Sequence, residues 1–303
     1  MGPTASGKTD LAIALSRHLP CEVVSVDSAL VYRGMDVGTA KPTVDQRAGV
    51  PHHMIDIVDP AERYSVGQYL DHARAEVEGV VGRGNIPLLA GGTMLYFRAL
   101  QHGLADLPNA DQQVRAALDA QAGKLGWPAL HHRLAEVDSG SAQRIHPNDA
   151  QRIQRALEVY ELTGVSLSEL LSRQNRRALP CNLAKIVVAP SDRSHLHRLI
   201  EQRFTAMLAA GLVDEVAALR DRSDMTLALP SMRAVGYRQV WQYLDGEFSY
   251  DQMVHHAVVA TRRYAKRQFT WLRAEPDVAW FESHSPDVLE NVLNYATNTL
   301  NLV

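Results

Sequence analysis

The residues with the plainest chemical meaning stand at the start of the chain. Gly2-Pro3-Thr4-Ala5-Ser6-Gly7-Lys8-Thr9 fits the spacing G-x-x-x-x-G-K-[ST]. Glycines let the backbone curl until several N–H groups point at one phosphate cluster. A helix beginning at once adds its positive N-terminal end. Lys8 supplies a point charge, and the Thr9 hydroxyl can ligate Mg²⁺. The segment reads as a phosphate-binding loop of the nucleotide-binding, ATP-binding type, but such a loop does not name a reaction. A kinase or ATPase also needs a place for an acceptor or water and, usually, an acidic Mg²⁺ partner at a strand end. Asp27, which follows the apolar run 22–26, can serve as that partner or as a catalytic base above the loop. Gly91-Gly92-Thr93 ends a second apolar run and offers close backbone approach and a hydroxyl instead of a carboxylate.

A βαβ framework is needed to position these groups. Residues 10–19 place Leu11, Ala14, Leu15 and Leu19 at helical spacing. Residues 22–26 and 86–90 read as buried strands. Ser65 reads as the N-cap of a helix to about residue 81, and another helix begins near Thr93. This rhythm predicts a parallel sheet flanked by helices, a P-loop NTPase-like α/β core. From about residue 106 the pattern changes, and 111–123, 127–137, 148–163 and 166–174 read as helices with no strand between them. A strand returns at 183–189, and helices follow from 192 to about 220. The expected organisation is a core of residues 1–105 and 181–303 with an all-helical insertion at 106–180. A phosphate loop normally follows a strand and only Met1 precedes this one, so a further stretch of about ten residues is expected ahead of it.

The 303 residues are 46% hydrophobic and 21% charged, values typical of globular chains. No apolar run approaches the ~18–20 residues of a membrane span, and no secretory signal is visible. The first six residues formally fit a myristoylation pattern, but the same glycine opens the more specific phosphate loop. Cys21 and Cys181 are too few for a disulfide scaffold and lack zinc-ligand spacing; two reduced, half-buried thiols in a cytosolic protein are expected. The net charge is −3, unevenly distributed. Residues 151–198 hold eight Lys/Arg and four Asp/Glu, and residues 220–273 hold nine and five. Two basic segments on an otherwise acidic chain suggest a polyanion-binding surface, the alternative being ordinary solvated helix faces.

The segment Asp27-Ser28-Ala29-Leu30-Val31-Tyr32-Arg33-Gly34-Met35-Asp36-Val37-Gly38-Thr39-Ala40-Lys41-Pro42, taken with the phosphate loop, resembles the bacterial tRNA dimethylallyltransferases (tRNA isopentenyltransferases). The resemblance continues through Pro51-His52-His53-Met54-Ile55-Asp56, Gly91 to Tyr96, 148–155, 229–241 and Ala265-Lys266-Arg267-Gln268-Phe269-Thr270-Trp271-Leu272-Arg273. These blocks run in the family's order over nearly the whole chain.

The resemblance implies transfer of a dimethylallyl group from dimethylallyl diphosphate to N6 of the adenine at tRNA position 37, next to the anticodon. It implies a phosphate loop, Gly2 to Thr9, that holds the leaving diphosphate, with Mg²⁺ on Thr9 and Arg203 reaching the same group. Asp27 is implied as the group that takes an N6 proton. Ser28, Ala29, Leu30, Thr93, Arg115, Gln151, Arg152, Ile153, Gln154, Arg155, Arg233, Ala234, Val235, Gly236, Tyr237 and Arg238 match tRNA-contacting positions. Physically, backbone N–H groups and Lys8 oppose the charge that grows on the diphosphate. The adenine must leave the anticodon-loop stack to reach them.

Arg262, Lys266, Phe269 and Arg273 share one face of a late helix, which suits RNA backbone binding, although the aromatic residue can equally be core. His52 and His53 read as loop or core residues and not as a metal pair. The expected protein is a cytoplasmic monomer that binds a tRNA anticodon stem-loop. Rival readings are an isopentenyltransferase acting on free adenine nucleotides, a small-molecule kinase and an RNA-binding protein switched by nucleotide.

Overall fold

The computed structural model describes residues 1–105, 107–172, 179 and 182–302. Cys181 and the end of the expected 166–174 helix lie outside them. The chain divides into two compact units: Met1–Gln101 with Leu179–Val303, and His102–Ala178. In chain order the elements are α1 (Lys8–Leu15), β1 (Cys21–Val26), α2 (Val44–Arg47), β2 (His52–His53), α3 (Val66–Gly82), β3 (Ile86–Gly91), α4 (Met94–His102), α5 (Gln112–Leu125), α6 (Trp127–Val137), α7 (Ser139–Arg144), α8 (Ala150–Thr163) and α9 (Leu167–Ser172). Then follow β4 (Ile186–Ala189), α10 (Arg193–Ala209), α11 (Leu212–Arg220), α12 (Tyr237–Leu244), α13 (Tyr250–Arg273), β5 (Ala279–Glu282) and α14 (Val288–Leu300).

In the α/β unit, β1 is buried at every position and pairs in parallel with β3, from Cys21 opposite Ile86 to Val26 opposite Gly91. Cys21 is therefore buried, not half-buried. His52 and His53 do not form a loop; they make β2, the outer strand of the order β2-β1-β3. Their place follows from Glu22, a carboxylate only 4% exposed on β1. His53 Nε2 bonds one of its oxygens at 2.6 Å, while Arg83 and Asn85 donate to it from the other side. Hydrogen bonds from Arg83, then Asn85, hold the Glu22 carboxyl far below the usual range against its burial.

The expected single sheet is two. β4 pairs in parallel with β5 in a separate ribbon, because no strand lies between β3 and β4 among the described residues. An apolar slot of about 430 Å³ occupies that place, lined by Leu11, Leu88 and Val188 among others. Met1 takes one ladder position there, accepting the Val188 N–H at 3.0 Å. The returning strand starts at Ile186, three residues later than the apolar run suggests. Ser65 caps α3 and Ser249 caps α13, each with a glutamine three residues on completing a capping box. Helices α10 to α13 share a core with the chain after β1, where Met35, Ile200, Phe204, Leu212, Met232, Tyr237 and Met253 are buried.

The helical unit has its own core of Leu118, Leu130, Leu134, Ile153, Ala156 and Leu157. Among them sits Glu158, fully buried. It accepts the Asp111 N–H at 2.9 Å, Arg115 Nε at 2.7 Å and Arg155 Nη1 at 2.7 Å. These bonds hold its carboxyl below its ordinary value although burial alone would raise it. Asp138, 3% exposed, ties α7 to α9 through the N–H groups of Ser141 and Ser168.

Candidate active site

The parallel register carries β1 and β3 to the same end, so Asp27 and Thr93 emerge side by side. A cavity of about 380 Å³ opens there, where open α/β sheets characteristically bind ligands. It is lined by Thr4, Ala5, Lys8, Thr9, Asp27, Ser28, Ala29, Leu30, Arg203, Arg233, Ala234 and Val235 among the residues singled out in the sequence. Gly2, Pro3, Ser6 and Gly7 belong to the loop but turn inward or outward from it. Gly2 is tight by necessity: a Cβ would lie 2.4 Å from the Val188 carbonyl. Ala5, with φ 62°, and Gly7, with φ 72°, give the left-handed turns that curl the loop.

Lys8 Nζ donates to the Pro3 carbonyl at 3.0 Å and has no carboxylate partner within ion-pair distance among the described residues. Burial, then the neighbouring Arg203, lower its pKa to about 8 against the pull of Asp27. Arg203 is half-buried, not an exposed helix residue. It donates to the Thr39 carbonyl at 3.3 Å, and burial lowers its pKa while Asp27 raises it. Two cations thus line one cavity with no ion pair to either among the described residues, an arrangement that invites an anion.

Asp27 Oδ1 accepts the Ala29 N–H at 2.9 Å, and its other oxygen meets no donor among the described residues. Thr93 Oγ1 accepts the Ser28 N–H at 3.0 Å, locking the strand ends together. Close approach makes this possible, since a Cβ on Gly91 would stand 2.1 Å from the Val26 carbonyl. The Thr9 hydroxyl and the Asp27 carboxylate line the same cavity as hard oxygen donors, a set that fits Mg²⁺ when diphosphate oxygens and water complete it.

Several sequence expectations change. Tyr237 is fully buried, its hydroxyl bound to Glu215, so it is a core residue and not an RNA contact. Glu215 also takes the N–H groups of Asp36, Val37 and Gly38 at 2.8, 2.7 and 3.1 Å. Gly236, buried with φ 97°, opens α12 in a conformation that suits glycine and is not among the residues lining the cavity. Ile153 is likewise fully buried, because α8 turns that face into its own core. Arg115 and Arg155 bond Glu158, Gln154 donates to Asp119 at 2.7 Å, and Arg152 pairs with Asp149 at 3.1 Å. Gln151, Arg233 and Arg238 remain exposed.

On α13, Arg262 pairs with Glu201 and Phe269 stacks on Trp280, so the proposed basic face is partly committed. The adjacent stripe is the one that meets the cavity: Thr261, Tyr264, Arg267 and Gln268. The sequence reading names Arg267 and Gln268 only within the block that carries the resemblance and gives none of the four a role. The available signal is a polar residue, Gln268, three and four places from the buried Ala265 and Leu272. Burial, then Asp27, raise the Tyr264 phenol well above its ordinary value.

Known proteins share this architecture. A family model described as IPP transferase matches residues 30–275. The chain is similar to the solved full-length tRNA isopentenylpyrophosphate transferase of Bacillus halodurans, at 38% identity over 99% of this chain and 95% of that one, with a TM-score of 0.73. It is similar to the tRNA delta(2)-isopentenylpyrophosphate transferase of Staphylococcus epidermidis, at 33% identity over 99% and 97%, with a TM-score of 0.67. A eukaryotic dimethylallyltransferase acting on tRNA shares the fold at 24% identity, over 98% and 77%, with a TM-score of 0.83. Matched by the family model over most of its length and by two solved members over nearly all of it, this chain belongs to the IPP transferase family.

Proposed function

We propose that this protein transfers a dimethylallyl group from dimethylallyl diphosphate to N6 of an adenine in tRNA, at position 37 beside the anticodon. The observation that carries this reading is the shared cavity: an anion cradle with two unneutralised cations on one side, and a half-free carboxylate at the neighbouring strand end. Relatives named as tRNA isopentenylpyrophosphate transferases support the substrate class.

The leaving diphosphate lies against the loop amides, Lys8 and Arg203. As the allylic carbon–oxygen bond breaks, the electron pair stays on the diphosphate, and these groups face the growing charge. Thr9 and Asp27 would hold Mg²⁺, which would supply Lewis-acid neutralisation of that charge. Asp27 accepts a hydrogen bond from the adenine amine, aims its lone pair at the allylic carbon and takes one proton as the carbon–nitrogen bond forms. Adenine N6 is a weak nucleophile, so aim counts as much as basicity. The adenine arrives unstacked from the anticodon loop, with Ser28, Ala29, Leu30 and Thr93 along its approach and Arg233, Ala234 and Val235 across from it. Gln151, Arg152 and Arg238 remain for RNA phosphate contacts.

Purified protein, Mg²⁺, radiolabelled dimethylallyl diphosphate and unmodified tRNA, with AMP as a parallel acceptor, test this. Label in tRNA alone is expected. Label in AMP would move the activity to free nucleotides, and phosphate release from ATP with no prenyl donor present would favour a kinase.

A further inference from the structure

One buried side chain joins the two halves of the cavity. Gln268, on α13 and 4% exposed, accepts the Thr4 N–H through Oε1 at 2.8 Å and donates from Nε2 to the Gly92 carbonyl at 2.8 Å. Thr4 belongs to the phosphate loop. Gly92 precedes Thr93, which holds Ser28 beside Asp27. The packing leaves no slack, since a Cβ on Gly92 would stand 2.3 Å from Gln268 Nε2 and 3.0 Å from the Gly2 carbonyl. An amide is suited to this place because it accepts at one end and donates at the other.

From this geometry we infer that Gln268 is a positioning residue for prenyl transfer, fixing the distance between the donor cradle and the acceptor-side strand end. The inference rests on the proposed function. It also assigns the loop amides: the Thr4 N–H serves Gln268, which leaves the diphosphate to the later amides of the loop, Lys8 and Thr9. A displacement of about 1 Å between reacting groups is enough to cost on the order of 100-fold in rate. Gln268 touches neither reacting atom; it acts through the loop on one side and through Gly92 and Thr93 on the other.

Gln268→Met keeps the length and loses both bonds. Gln268→Glu keeps the acceptor, loses the donor and adds charge beside the anion cradle. Wild-type transfer to tRNA is measured first, since its absence defeats the functional reading and not this one. With the wild type active, Gln268→Met is expected to lose about 100-fold in kcat/KM for dimethylallyl diphosphate, with tRNA affinity unchanged within about twofold. Gln268→Glu is expected to lose more. A residue that only stabilised the fold would lower Tm and reduce the active fraction for both substrates alike. The double variant Gln268→Met with Thr93→Ala should fall well short of the sum of its single losses, because both break one chain of contacts. Should Gln268→Met fail to fold, Gln268→Asn keeps the amide but reaches one partner only, and an intermediate loss is expected. Wild-type donor kinetics in the folded variants, or full additivity with Thr93→Ala, would overturn the inference.

Discussion

Lys8 and Arg203 in the α/β unit and Arg115 and Arg155 in the helical unit are all partly buried cations, but their surroundings differ. The first pair face a cavity and, among the described residues, bond only backbone carbonyls, those of Pro3 and Thr39. The second pair converge on Glu158, fully buried, and their charge is spent inside the fold. Burying a cation without a counter-ion costs stability, so an unneutralised pair marks a site waiting for an anion. A neutralised cluster marks architecture. The difference separates Arg203 from Arg115 and Arg155, arginines that the resemblance alone reads alike as ligand contacts.

Five experiments break or sharpen this contrast, taken from the largest expected effect. Asp27→Ala removes the carboxylate that faces the open cations, and transfer should fall by about 10²–10⁴-fold while tRNA binding persists. Full turnover would end its role as base. Lys8→Ala should cost about 10²–10³-fold in donor-dependent rate. Lys8 also sets a pH dependence. Its pKa is lowered to about 8, and a bound diphosphate would raise it again. Donor affinity should therefore be flat below about pH 8 and fall up to tenfold per unit above it. A flat profile through pH 10 would show that Lys8 stays charged without its ligand.

In the other region, Glu158→Gln leaves two guanidinium groups without their buried counter-charge. Loss of about 3–5 kcal/mol in unfolding of the helical unit is expected, read by denaturant titration. Arg152→Ala is the smallest change. Its exposed pair with Asp149 is worth well under 1 kcal/mol of stability. If the helix meets RNA, the slope of log affinity against log salt should fall by about one. An unchanged slope would make α8 an internal element throughout.

Much of this was readable in the chain itself, for identifiable reasons. The phosphate loop, β1, β3 and the capped helix α3 are specified locally, by glycine spacing, β-branched runs and a capping box. Expectations fail where a tertiary partner decides. β2 is two histidines made into a strand by Glu22 and the β1 edge, and β5 is four residues with exposed alternate positions. Ile153 and Tyr237 sit in basic, RNA-like contexts, but burial depends on which helix face meets the core. The α13 stripe of Arg262, Lys266, Phe269 and Arg273 is one notch of rotation from the stripe that reaches the cavity. Periodicity finds the stripes and packing chooses between them.

The Glu215 contacts have a consequence for where an anion can be held. Three successive amides, from Asp36 to Gly38, converge on its carboxylate next to a wall that includes Gly38, Thr39 and Ala40. Successive amides aimed at one point make the same kind of electropositive hollow as the phosphate loop itself. Left open, this second hollow would itself attract an anion. The protein plugs it with its own anion. The hollow left to an anion beside this wall is the phosphate loop with Lys8 and Arg203, which no carboxylate meets within ion-pair distance among the described residues.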